Sequence, residues 1–232
     1  MKEAVERLYA VFARHHLAAR IDGCPHCVTD EDQRLLRRSP LRELGEGDLR
    51  RFVAKALTTW GGIDDLRHFL PRILDLALPG GGLIDIDTVA AKLDLARWWQ
   101  WPADERAAVR ACFTALWLRT LDREPEERPA VLVLDTLATA FDDLSPFLEA
   151  WTDRLRNWSD HPRALRQFAD TAGTVVATSP AVRHPQVVLW LLDLLPLAQT
   201  LSEELEDTDT GLAEAVLDTH DQLILLRAAL RP

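Results

Sequence analysis

Ile63, Leu66, Phe69, Leu70, Ile73, Leu74 and Ala77 recur at intervals of three and four residues. That spacing places all seven on one stripe of an amphipathic helix. Gly61 and Gly62 interrupt the chain before the stripe, because glycine gives up the most backbone freedom in a helix. Asp64 and Asp65 then stand at the expected helix start, where carboxylates cap free N–H groups and meet the positive end of the dipole. Pro71 lies inside the stripe, so the helix either kinks there or restarts with Pro71 in its first turn. Pro79-Gly80-Gly81-Gly82 closes the element. Thr58–Leu78 is the clearest element of the chain, and the remaining segments repeat its pattern.

Glu3–Ala19 has Val5, Leu8, Tyr9, Phe12 and His16 along one helical face. Ile21–Val28 is a turn carrying Cys24-Pro25-His26-Cys27. Thr29-Asp30-Glu31-Asp32 forms a capped start that Ser39-Pro40 stops. Asp48–Trp60 predicts a further helix. Asp85 or Asp87 caps one through Leu95 to about Trp99, and Pro102 opens the next, with Val109, Cys112, Phe113, Leu116 and Trp117 on its stripe. Pro129–Phe141 reads as helix, although Val131-Leu132-Val133-Leu134 also suits a strand. Leu144, Phe147, Leu148, Trp151, Leu155 and Trp158 mark another helix. His161-Pro162 opens one that holds Leu165, Phe168, Ala169, Ala172 and Val176 and that Pro180 ends. Val187–Leu201 is apolar on nearly all sides, which predicts a single central buried helix. The acidic run Ser202–Gly211 precedes a last helix, Leu212–Leu230.

Ten or eleven helices with short connections and no convincing strand predict an all-α fold, a bundle of paired antiparallel helices. The whole chain, 1–232, reads as one all-α domain, with 80–84 and 123–128 as the places where it could subdivide. Asp64-Asp65-Leu66 followed by Phe69-Leu70 returns as Asp142-Asp143-Leu144 followed by Phe147-Leu148. The separation, 78 residues, is two units of a HEAT-like helical repeat, so an α-solenoid is the alternative to a compact bundle.

The chain carries 27 basic and 37 acidic residues, a net charge of −10. That argues against a nucleic-acid binder, which needs a basic surface, and suits a basic protein partner. The longest apolar run, Val187–Leu195, contains Asp193 and falls far short of the roughly 20 residues that span a bilayer. The charged N-terminal segment lacks a signal peptide's apolar core. A cytoplasmic protein without membrane association is the expectation. Three cysteines are too few for a disulfide framework.

Thr59-Trp60-Gly61, Asp65 and Phe69-Leu70-Pro71-Arg72, preceded by Cys24, Cys27 and Pro40-Leu41-Arg42-Glu43-Leu44, cover roughly the first third of the chain. Together they resemble a family of bacterial proteins with no assigned activity. The resemblance implies no activity.

Cys24 and Cys27 are spaced as in thiol–disulfide oxidoreductases, but that chemistry normally follows a strand, and a helix precedes Cys24 here. With His15, His16 and His26 they place five potential zinc ligands within 13 residues. Cys24, Cys27, His26 and His16, or a distant His68, would satisfy a tetrahedral site. His15 and His16 point to different helix faces, so at most one can join. Zinc is the one cofactor considered, and a structural turn with reduced cysteines is the alternative. Asp64, Asp65, Arg67, His68 and Arg72 crowd one polar helix face, either as a binding face or as solvated charge or a buried ion-pair network. Trp99 and Trp101 belong to an aromatic cluster that either stacks on a ligand or wedges helices. No GxxxxGKS/T, GxSxG, HExxH or SxxK sequence is present. A non-catalytic helical adaptor with a protein partner is therefore expected. The rival readings are a zinc- or thiol-dependent regulator or enzyme built on Cys24 and Cys27, and an acidic immunity-type inhibitor of a basic toxin.

Overall fold

The computed structural model describes residues 1–178 and 185–230. Twelve α-helices account for most of them: α1 (Lys2–Phe12), α2 (Asp30–Leu35), α3 (Glu46–Lys55), α4 (Ile63–Ala77), α5 (Ile86–Leu95), α6 (Ala103–Leu121), α7 (Ala130–Ala140), α8 (Ser145–Arg156), α9 (Pro162–Thr178), α10 (Pro185–Asp193), α11 (Leu195–Leu205) and α12 (Thr210–Ala229). Short 3₁₀ turns cover Leu41–Glu43 and Trp98–Gln100. Among the described residues the only β pairing is two isolated bridges, Gly23 with Trp60 and Ala56 with Trp60. The fold is all-α. The chain forms two compact units, Met1–Leu116 and Trp117–Pro232, divided within α6.

In the first unit α4 packs on α1, α3 and α5. Its predicted stripe is buried from Leu66 to Ala77 and only Ile63 is exposed. Phe69 meets Phe52 of α3 at 4.8 Å between ring centroids, and Phe52 meets Trp60 edge-on at 5.5 Å. Pro71 neither splits nor restarts α4, which runs through it from Ile63 to Ala77. The Asp65 carboxylate accepts from Gly62 N–H at 2.9 Å, and Asp48 accepts from Gly45 N–H at 2.8 Å in α3. Each carboxylate three residues into a helix thus satisfies the N–H at its cap. Gly61 has φ +72°, a conformation that side chains rarely adopt, and its N–H donates to Asp22 O.

In the second unit α9 packs on α7, α8 and α12, and α12 also packs on α10 and α11. Trp117, Phe147, Trp151 and Phe168 fill the core. Buried indole N–H groups find carbonyls: Trp117 donates to Phe147 O at 2.8 Å and Trp151 to Ala164 O at 2.9 Å. Gln167 is fully buried. It accepts from Ala130 N–H and donates to Arg123 O and Arg128 O, which clips the 123–128 connection against α9.

Several expected elements end sooner. α1 stops at Phe12 instead of continuing to Ala19; His15 N–H turns back to Phe12 O at 3.0 Å, and the His15 carbonyl beyond the helix meets the His68 ring at 2.8 Å. α2 ends at Leu35, ahead of Ser39-Pro40. α3 ends at Lys55, and Leu57 takes a positive φ of 65° that no helix accommodates. α5 ends at Leu95, before the left-handed Arg97. The expected single helix over 187–201 is two, since Pro196 cannot donate within a helix and α11 starts afresh one residue before it. It is not buried all round either, with Leu189 62% exposed. Val131–Leu134 is helical. The echo of Asp64-Asp65 differs in place: that pair lies inside α4, whereas Asp142-Asp143 precedes α8. The expected stop at Pro180 and the Val176 side chain lie outside the described residues.

Candidate functional site

Residues Asp22 to Val28 form a tight turn pinned to the segment that links α3 and α4. Cys24 N–H donates to Thr59 O at 2.8 Å, and Gly61 N–H to Asp22 O at 2.7 Å. Cys27 and Val28 N–H groups both return to Cys24 O, at 2.9 and 3.0 Å. Gln33 of α2 clamps the entry by bonding both the N–H and the carbonyl of buried Ile21. Lys55 donates its ammonium to Cys27 O, and Arg51 approaches the same oxygen at 3.5 Å. The two cysteines are not joined to each other, and both are half-buried. The Cys24 sulfur receives the backbone N–H of His26 and then the Cys27 thiol and the His26 side chain, which bring its pKa down to about 7. Cys27 is pushed up, chiefly through its hydrogen bond to Cys24. Cys112 lies wholly inside the core, where desolvation pushes it up to about 12.

Of the proposed zinc ligands, Cys24, His26 and Cys27 share this turn, while His16 is exposed in the irregular segment after α1. His15 and His68 bond elsewhere. Among the described residues no three His, Cys, Asp or Glu side chains stand where one metal ion could join them.

The polar face of α4 is turned inward more than a solvated face would be. Arg67 is 18% exposed, lies over the Trp101 ring at 4.7 Å, and meets the Glu105 carboxylate at 3.3 Å and Asp64 at 3.4 Å. Glu105 is only 1% exposed and also receives His15 Nε2 at 2.9 Å and Arg14 Nε at 3.1 Å. Arg72 donates to Leu44 O and pairs with Asp75 at 2.7 Å, and Asp75 also accepts from Tyr9. These side chains tie α4 to its neighbours. Trp101 is buried, and of the two tryptophans only Trp99 is exposed, at 41%. Glu105 is the residue that sequence reasoning passed over. It sits in the first turn of α6, where a carboxylate ordinarily serves the helix dipole.

A second feature lies in the second unit. A cleft of about 670 Å³ runs between α9, α12 and the 123–128 connection. Pro125, Ala169, Leu212 and Ala215 supply the apolar part of its lining and Thr219 and Gln222 a polar part, while Glu124, Glu126, Asp170 and Asp218 ring it together with one cation, Arg166. Glu124 is already paired with Arg163 and Arg166. Partial burial and then the neighbouring Glu126 carboxylate push the Asp170 pKa up. Charge is divided unevenly between the units: Met1–Leu116 has 17 basic and 17 acidic residues, Trp117–Pro232 has 10 and 20. The whole surplus of −10 therefore belongs to the second unit. The sequence signal was available, since no lysine follows Lys92.

No family model, curated protein or solved structure matches the chain.

Proposed function

We propose that the chain is a helical binding protein whose second unit docks a basic segment of a partner polypeptide. The observation that carries this reading is the confinement of the entire charge surplus to that unit, with Glu126, Asp170 and Asp218 around one cleft. Like charges gathered around one cleft repel one another, and an incoming guanidinium or ammonium relieves that repulsion. The apolar lining suits the methylene stem of an arginine or lysine. Leu225 follows Asp218 by seven residues on α12 and is 67% exposed, so an apolar neighbour of the basic residue has somewhere to rest. An inhibitor that masks a basic toxin is one form of the same chemistry.

Isothermal titration with a set of arginine- and lysine-containing peptides with apolar flanks tests the reading. Wild type should bind at least one of them, and raising salt should weaken binding. The Glu126→Gln/Asp170→Asn/Asp218→Asn variant should lose about tenfold or more, since each removed pairing is worth about 1 kcal/mol. No binding by wild type, or equal binding by the variant, would refute it.

A further inference from the structure

The first unit holds chemistry that a docking role does not use. We propose that Cys24 and Cys27 form a reversible dithiol–disulfide pair that exchanges with low-molecular-weight disulfides, with Cys24 as the attacking sulfur and Cys27 as the resolving one.

The turn supplies the geometry. Two backbone hydrogen bonds to Cys24 O, from Cys27 and Val28, close the loop, so the two cysteines sit at the ends of a single turn, the backbone spacing that a disulfide spans. Both side chains are open enough for a small disulfide to approach. The anchoring is independent of the sulfurs, through Thr59, Asp22 and Gln33. The frame can therefore persist while the S–S bond forms and breaks.

The two sulfurs are also unlike. Cys24 is surrounded by donors, the His26 N–H first, that favour its thiolate. The neighbouring Cys24 sulfur pushes the Cys27 thiol the other way, up. The Cys24 thiolate attacks one sulfur of the disulfide R–S–S–R. A Cys24–S–S–R bond forms, the R–S–S–R bond breaks, and one RS⁻ leaves and takes up a proton from water. Loss of the Cys24 negative charge removes what held the Cys27 proton. Lys55, whose ammonium bonds Cys27 O, then favours the Cys27 thiolate. Cys27 gives up its proton and attacks Cys24 Sγ, and the second RS⁻ departs. Two cysteine thiols have been oxidised to one disulfide, and one external disulfide has been reduced to two thiols. Cys112, buried on α6, takes no part and serves as an internal control.

The test is to equilibrate the full chain with oxidised glutathione and to measure intact mass and map the linkage. The expected result is loss of two hydrogens, mapped to a Cys24–Cys27 bond and reversed by dithiothreitol, with Cys112 free. In Cys27→Ser a glutathione adduct should accumulate on Cys24, and Cys24→Ser should form less. At neutral pH, iodoacetamide should label Cys24 about fivefold faster than an ordinary thiol. That ratio sets the gain in thiolate fraction against the lower nucleophilicity of a more acidic thiol. A pair that stays reduced in excess oxidised glutathione overturns the proposal, and that measurement needs no variant. So does purified protein in which both thiolates are held by an equivalent of zinc. Equal adduct on both single variants overturns the assignment of Cys24 as attacker. None of these outcomes bears on peptide binding by the second unit.

Discussion

Glu105→Gln is the substitution on which the account of the first unit stands most exposed. The carboxylate is 1% exposed and faces three cationic or donor groups: His15 at 2.9 Å, Arg14 at 3.1 Å and Arg67 at 3.3 Å. Glutamine keeps the shape but removes the charge and turns an N–H₂ group toward donors. Arg67 and His15 are only 18% and 15% exposed, so each loses a partner it cannot replace with bulk water. Stripping one member from a buried pair costs about 3–5 kcal/mol. Arg14 is 47% exposed, and its share falls to about 1 kcal/mol or less. Water reaching the rim lowers the total to about 3 kcal/mol. With a urea slope of about 2 kcal/mol/M, the midpoint should drop by about 1.5 M. Tryptophan fluorescence during urea unfolding measures this. Near-ultraviolet circular dichroism should change too, because Arg67 lies on the Trp101 ring. A double-mutant cycle with Arg67→Met should give a coupling of about 1–2 kcal/mol. A Glu105→Gln variant within about 0.5 kcal/mol of wild type would show the network to be ordinary solvated charge.

Phe69→Ala should cost about 3–5 kcal/mol, because a fully buried ring packed on Phe52 leaves a cavity; an unchanged urea midpoint would contradict the packing. Gly61→Ala should destabilise by about 1–2 kcal/mol in the same assay, since φ is +72° and the new Cβ would meet Ile21 and Asp65 at 3.1 and 3.2 Å. Burial pushes the Asp32 pKa up, but Thr29's hydrogen bonds and Arg51 outweigh it and hold the carboxyl below its ordinary 3.8. Its contribution is therefore full above that value and lost as pH falls through the lower, folded-state one. Asp32→Asn should accordingly flatten the acid limb of stability measured between neutral pH and pH about 3. Asp170 is shifted the other way, so its ionised form opposes folding and Asp170→Asn should raise the urea midpoint at neutral pH.

Helix type was legible wherever a stripe was long. The spacing from Leu66 to Ala77 reports burial directly, and α4, α6, α8 and α12 lie close to where periodicity puts them. Ends were less legible, for stated reasons. α1 stops at Phe12, and the His15 carbonyl past its end is held by His68, some fifty residues away, a contact of which local pattern carries no trace. The break before α11 was readable from Pro196 and was hidden by an apolar run that only Asp193 interrupts. The polar face of α4 left a binding face, solvated charge and a buried ion-pair network open, because its residue types suit all three. The choice rests on Glu105 and Trp101 arriving beside Arg67 from α6 and the turn before it, a long-range fact. The Cys24–Cys27 spacing was visible in the sequence, but the hydrogen bonds that make the two sulfurs unlike were not. The acidic cleft needed both the fold and the division into units before the charge count acquired meaning.

Hydrogen–deuterium exchange of the full chain, with and without the tightest-binding basic peptide, tests the central claim most directly. The account predicts that the peptide slows exchange in 124–128, 166–173 and 212–225, around the cleft, and leaves α4 unchanged. Protection confined to α4 and the turn at Cys24 and Cys27, with the cleft segments unaltered, would contradict it.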